Sequence, residues 1–187
     1  MKNHLLRFLA SIALALLPSS LLGQQVNYFM SINGPAIEGG SQIVGYENQI
    51  ELLSYSLGVS NNLVVNSGGI SSGTSSWSAL NAIIETDSKA IPDLFLLAAN
   101  GAKTEEIILT GVNLTGPSGK IEFLKITLED CYIASVDLQG ADGDRGVFSV
   151  DIAYLKITIE TKTVDPKTGE AGDSFSMGWN LETNEPL

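Results

Sequence analysis

The chain has 187 residues, enough for one domain that buries its core without help from disulfides or metals. It carries 10 basic and 21 acidic residues, a formal charge of −11, which excludes the electrostatic footprint of a nucleic-acid or anionic-membrane binder. One cysteine, Cys131, cannot form an internal disulfide, and its place in an apolar strand pattern suits a small semi-buried side chain.

Residues 1–23 read as a bacterial secretory leader. Lys2 and Arg7 form a basic start, residues 8–17 are apolar, Pro18-Ser19-Ser20 breaks the run, and Gly23 is a small residue ahead of Gln24. The apolar run is too short to span a bilayer, and no cysteine follows it to take a lipid. Cleavage there leaves residues 24–187 as a single domain, periplasmic or secreted, with no membrane contact. Loss of Lys2 and Arg7 takes the formal charge from −11 to −13. The single histidine, His4, leaves with the leader. Without imidazole there is no Ser–His or Cys–His pair and no histidine-built zinc, haem or non-haem iron site.

Residues 26–33 read as a first strand closed by Gly34-Pro35. The Gly-rich loop Ile37-Glu38-Gly39-Gly40-Ser41 follows, with no regular structure expected. A second strand is expected over residues 50–60, with Leu53, Tyr55, Leu57 and Val59 alternating with small polar residues. Residues 61–76 are mostly Asn, Ser and Gly and read as a long, flexible, exposed loop. Residues 77–86 fit a strand or, through Trp77, Leu80, Ile83 and Ile84, a helical stripe. A helix is expected over residues 92–100, with Pro92 in its first turn, Leu94, Leu97 and Ala98 on its buried face, and Gly101 as its stop. A strand over residues 105–115 and a turn at Gly116-Pro117-Ser118-Gly119 lead into the longest element.

Residues 120–163 read as two long strands joined by a Gly- and Asp-rich loop at residues 139–146. Leu124, Ile126 and Leu128 alternate with Lys125, Thr127 and Glu129, and the apolar series is expected to resume at Tyr132, Ala134, Val136 and Leu138. On the return, Phe148, Val150, Ile152 and Tyr154 share a face. The phase then flips to Leu155, Ile157 and Ile159, which predicts a β-bulge at Tyr154-Leu155. A last strand puts Phe175, Met177, Trp179 and Leu181 on one apolar face. The pattern as a whole is mainly β: an antiparallel barrel or sandwich.

None of the candidate motifs builds an active site. Gly119-Lys120 lacks the earlier Gly and the following Ser or Thr of a phosphate loop. Asp142-Gly143-Asp144 lacks the later Glu of a calcium loop and reads as a hairpin turn. Asn113-Leu114-Thr115 is a formal glycosylation sequon of a kind that arises by chance. Glu129 and Asp130, as neighbours on a strand, are expected to face opposite ways and so not to share a task. No catalytic residue, cofactor or metal ligand is therefore assigned.

Taken in order, Ile37-Glu38-Gly39-Gly40-Ser41, Ile50-Glu51-Leu52-Leu53-Ser54-Tyr55-Ser56-Leu57-Gly58, the helix from Pro92 to its Gly101 stop, Phe123-Leu124-Lys125-Ile126-Thr127-Leu128, Ile133-Ala134-Ser135-Val136 and Gly178-Trp179-Asn180 resemble the haemolysin-coregulated proteins (Hcp), the tube subunits of bacterial type VI secretion. The resemblance covers nearly all of residues 26–184, with Gly40 and Gly146 standing where that family usually carries acidic residues. It implies a tight antiparallel β-barrel with one flanking α-helix and a strand over residues 77–86. It implies hexameric rings that stack into a tube and carry effectors, an extended loop at residues 61–76 that reaches the next ring, and no enzyme. The two functions to weigh are a ring-forming structural subunit, with itself, effectors and secretion-apparatus proteins as partners, and an exported non-catalytic binding module on the same barrel. For the leader, N-terminal sequencing of the exported protein is expected to begin at Gln24; an intact Met1 on the folded protein overturns the leader.

Overall fold

The computed structural model describes residues 26–86, 88–116, 119–140, 142, 145–165 and 170–187. The leader at residues 1–23, Gly143 and Asp144 of the acidic loop, and residues 166–169 lie outside the described residues.

Six strand stretches close on themselves as a barrel. β1 (Val26–Asn33) pairs antiparallel with β9 (Lys103–Gly116), and β9 pairs with β10 (Gly119–Gln139). β10 pairs in its second half with β11 (Val147–Ala153), and β11 with β8 (Leu80–Glu85). β8 pairs with β3 (Ser54–Ser56), and β2 (Ile50–Leu52), one residue upstream of β3, returns to β1. The barrel's corner is Leu53, whose N–H donates to the Ile83 carbonyl at 2.8 Å. Here the structure corrects the sequence reading of one strand over residues 50–60. Turning from one partner to another breaks the alternation, so Ile50 and Leu52 are buried while Leu53 and Val59 are exposed. Residues 80–85 are strand, as the resemblance implied.

Met30, Ile32, Leu80, Ile84, Ile107, Leu109, Leu128, Val150 and Ile152 fill the interior, each at most 2 % exposed. The helix α1 (Ile91–Asn100) joins the same cluster through Ile91, Leu94 and Leu97. Pro92 lies in its first turn and Gly101, at φ 57, ends it with its N–H on the Ala98 carbonyl at 3.3 Å. Outside the barrel wall, Phe29, Tyr46 and Val112 form a second cluster under the 41–48 loop, with Phe29 and Tyr46 stacked at 4.5 Å. Burial, and then the hydrogen bond from Tyr46 Oη to Glu122 Oε1 at 2.6 Å, raise the Tyr46 hydroxyl's pKa.

The long hairpin is where the sequence expectation needs most correction. β12 (Lys156–Val164) continues β11 along the same edge of β10, in unchanged register from Tyr132↔Ala153 to Glu129↔Lys156. No bulge therefore sits at Tyr154-Leu155; the ladder is interrupted there, and the true register shift in this hairpin falls at Ala134, between Ile133 and Ser135. The cause of the phase flip lies across the ladder at Asp130, whose φ of 57 is left-handed. It turns β10 over: Leu128 and then Cys131 and Ile133 point inward, while Tyr132, Ala134 and Leu138, expected inside, are exposed. Cys131 is fully buried, not semi-buried.

β12 pairs outward with β13 (Ala171–Asn180), and β13 with the two-residue β14 (Glu185–Pro186). The apolar face expected on the last strand is split. Trp179 and Leu181 pack against the core, but Phe175 and Met177 are 60 % and 42 % exposed because none of the described residues covers the outer part of this sheet. Gly146 explains one departure from the family pattern: its φ is 77, and a Cβ there would lie 2.6 Å from the Gln139 carbonyl oxygen.

Two outcomes follow for stability. Leu128→Ala is expected to cost about 2–5 kcal/mol in urea denaturation, whereas Phe175→Ser stays within about 0.5 kcal/mol; equal losses would place Phe175 in the core. Burial pushes the Cys131 thiol from an ordinary 9.0 up to about 12. The stabilisation from keeping it a neutral thiol is therefore full below pH 9 and lost as pH rises toward 12. A maleimide at pH 7.5 is expected to leave native Cys131 unmodified and to label it once guanidinium unfolds the chain; labelling of the native protein contradicts this.

Candidate functional site

An exposed two-stage ribbon leaves the barrel between β3 and β8. β4 (Val59–Asn61) pairs with β7 (Ser75–Trp77), and β5 (Val64–Asn66) pairs with β6 (Gly69–Ser71) around a two-residue turn. The flexible loop expected at residues 61–76 is thus a paired, twisted arm. Its turn is locally coded: Asn66 Oδ1 accepts the Gly68 N–H at 2.9 Å, an Asx turn. Midway, the Asn61 side chain clasps Gly73, donating to its carbonyl at 3.1 Å and accepting its N–H at 3.0 Å. At the base, Ser75 Oγ donates to Asn184 Oδ1 at 2.6 Å, tying the arm to the turn after β13.

Beyond Trp77 at its base, which packs against the core, the arm displays apolar side chains to solvent. Leu63, Val64, Val65 and Ile70 are 53–74 % exposed, and Val65 and Ile70 sit opposite each other across the ladder. The signal for these was present in the sequence as four large apolar residues within an Asn-Ser-Gly stretch. A second apolar site is the β13 face with Phe175 and Met177, and a third is formed by Phe95 and Leu96 on α1. Scattered apolar exposure is ordinary, but apolar residues gathered on a projecting element mark a contact surface.

The 37–41 loop is held rather than loose. The Gly39 N–H donates to the Asn48 carbonyl at 2.6 Å, the Ser41 N–H to the Gln49 carbonyl at 3.1 Å, and Ser41 is 1 % exposed. A Cβ on Gly39 would lie 2.1 Å from the Gln49 backbone, so only glycine fits. Beside this loop lies a cavity of about 420 Å³ lined by Asn27, Gly40, Ser41, Glu51, Leu52, Leu53, Glu85 and Ser88. Sequence reasoning missed it, because its walls come from four separate segments.

The remaining sequence candidates are accounted for by structure. Lys120 lies over the Tyr46 ring at 5.6 Å. Asn113 of the sequon is 4 % exposed within β9. Glu129 and Asp130 do not face opposite ways: the left-handed turn at Asp130 lets both reach Lys156, each at 3.4 Å, while Asp130 also pairs with Lys103. Hydrogen bonding to Lys103 holds the Asp130 carboxyl below its ordinary pKa. This cluster pins a kink and is not part of the cavity beside the 37–41 loop. Among the described residues, no group of three or more His, Cys, Asp or Glu side chains is placed to hold a metal ion.

Comparison with known proteins agrees with this geometry. A family model described as type VI secretion system effector, Hcp, matches residues 29–160. Protein Hcp1 of Pseudomonas aeruginosa is 25 % identical over 97 residues, 51 % of this chain and 59 % of that protein, so the match spans little more than half of that relative. Among solved structures, a type six secretion system protein superposes with a TM-score of 0.79 at 24 % identity, over 87 % of this chain and 100 % of the other. Hcp1 from Salmonella typhimurium gives 0.69 at 22 % identity, over 87 % of this chain and 99 % of its own. The antiparallel barrel, its single helix and the family match over residues 29–160 agree, and the chain belongs to the Hcp family of type VI secretion proteins.

Proposed function

We propose that the chain is a ring-forming structural subunit of a type VI secretion tube, or of an exported assembly built like one. By the family likeness the ring is a hexamer that stacks and carries effector proteins. The observation that carries this reading is the projecting arm: a paired ribbon whose outer part is apolar and exposed suits contact with another subunit or ring. The β13 edge with Phe175 and Met177 offers a second surface for a repeating head-to-tail contact. The role is non-catalytic, with no cofactor. Residues 1–23 as a leader place the mature domain outside the cytoplasm. That feature favours the second reading, an exported binding module that keeps the barrel without the ring.

Light scattering of residues 24–187 at micromolar concentration separates the two. A closed ring, about six copies in mass, is expected; a strictly monomeric mass across concentration and salt overturns the ring and supports the binding module. Replacing residues 63–71 by a short Gly-Ser turn is expected to leave single rings and the urea midpoint unchanged while abolishing ring stacking. Loss of the fold on that replacement contradicts the arm's independence from the core.

A further inference from the structure

The cavity beside the 37–41 loop has a chemically one-sided lining. Asn27 Oδ1 and Ser88 Oγ are both buried there without a hydrogen-bond partner. Buried polar atoms are almost always paired, so these two orphans set the cavity wall apart from the packed core. Ser41, 1 % exposed, adds a hydroxyl oxygen that accepts the Ile43 N–H at 3.3 Å. Glu51 and Glu85 stand at the same cavity with no ion pair among the described residues. Two carboxylates thus border the cavity with no lysine or arginine of the described residues paired to them. The chain's own neighbouring lysine does not supply a cation: Lys89 is held by Glu38 at 3.0 Å and Asn48 at 3.4 Å.

The size and the wall chemistry narrow the occupant. At about 420 Å³ the cavity is far larger than the cage of a bare metal ion, whose oxygen ligands close in to about 2.3–2.6 Å. Leu52 and Leu53 supply an apolar wall, and a long methylene stem packs on such a wall while its charged head reaches the carboxylates. An acidic chain also repels its own copies, so contact between them requires its few cations to meet carboxylates. Among the described residues Lys162 has no ion pair, and Lys120 has only the face of Tyr46.

We propose that this cavity seats a lysine side chain from a neighbouring copy of the chain, its ammonium at Glu51 and Glu85, its stem along Leu53. The neighbouring-copy source rests on the ring reading; the ammonium seat does not. The test uses the protein recovered after export, as wild type and as the Glu51→Gln/Glu85→Gln double variant. Both glutamates are exposed, so the variant is expected to keep its urea midpoint. Each protein is titrated with n-butylammonium followed by amide chemical shifts, and its assembly is followed by light scattering against salt. The expected result is that butylammonium shifts the Gly40 and Leu53 amides in dissociated wild type and binds about tenfold more weakly to the variant. The variant is also expected to need about tenfold more protein to assemble. Rings that form equally well in both proteins, with no butylammonium shift, overturn the seat and leave the ring standing. Saturation by calcium in place of butylammonium overturns it in favour of a metal site. A monomeric wild type that still binds butylammonium overturns the ring reading and the neighbouring-copy source together, while supporting the seat.

Discussion

At Asp130 the backbone of β10 takes a left-handed conformation that a residue with a side chain adopts only at a cost. β10 runs for 21 residues and is paired on one edge by β9 and on the other by β11 and β12. A strand of that length cannot remain regular and keep one face on a tightly curved core. The left-handed residue resolves the conflict by exchanging the faces of β10, so Leu128 points inward before the kink and Cys131 and Ile133 after it. Opposite it, Tyr154 stays inward and donates its hydroxyl to the Ser78 carbonyl at 3.0 Å, while Leu155 turns out. Lys103 and Lys156 hold the Asp130 carboxylate, so the conformation is fixed from the side chain outward.

From that kink the rest of the architecture divides. Beyond it, β10 and β11 curve into the barrel that β8, β3, β2, β1 and β9 close. Before it, β10 keeps β9 on its barrel edge and on the other carries β12, from which β13 and β14 extend outward. The barrel side is where the apolar area leaves water and where stability resides. The outer sheet and the arm keep large apolar residues in water, a cost for a lone copy. The same chain therefore has one set of apolar residues that makes the fold and another that the fold does not need.

How much of this was legible in the sequence depends on how local the cause is. The helix was readable from Pro92, the Leu94 and Leu97 spacing and Gly101, all within one short segment. β1 and β9 were readable from their alternation, and the long hairpin was readable as two strands but not in which side chains face inward beyond Asp130. The corner at Leu53 was not, since only its position between β1 and β8 turns it outward. Nor was the kink: the sequence displayed the phase flip at Tyr154-Leu155, but the residue responsible is Asp130 across the ladder, and an Asp inside a strand gives no sign of its φ. The arm was misread because Ser, Asn and Gly suggest a loose loop, although Asn66 and Asn61 use their side chains to fasten turns. The exposure of Phe175 and Met177 was illegible for a different reason. An apolar face reads the same whether its own core or another molecule covers it.

The outer edge of β13 shows how such a face can be tolerated in an acidic chain. Over most of its length β13 has β12 on one side and no described strand on the other, since β14 pairs only with Trp179 and Asn180. A bare edge with Phe175 and Met177 beside it is a template for uncontrolled pairing. Asp173 lies just upstream on the same strand, and Glu182 and Glu185 follow it, so carboxylates bracket the apolar stretch. Copies that approach out of register bring these like charges together, on top of a formal charge of −11 per chain. Repulsion is long-ranged and indifferent to register, whereas burial of Phe175 and Met177 is short-ranged and depends on it. A surface built this way rejects most encounters and rewards the few that match, which is the selectivity that a closed ring of identical subunits requires.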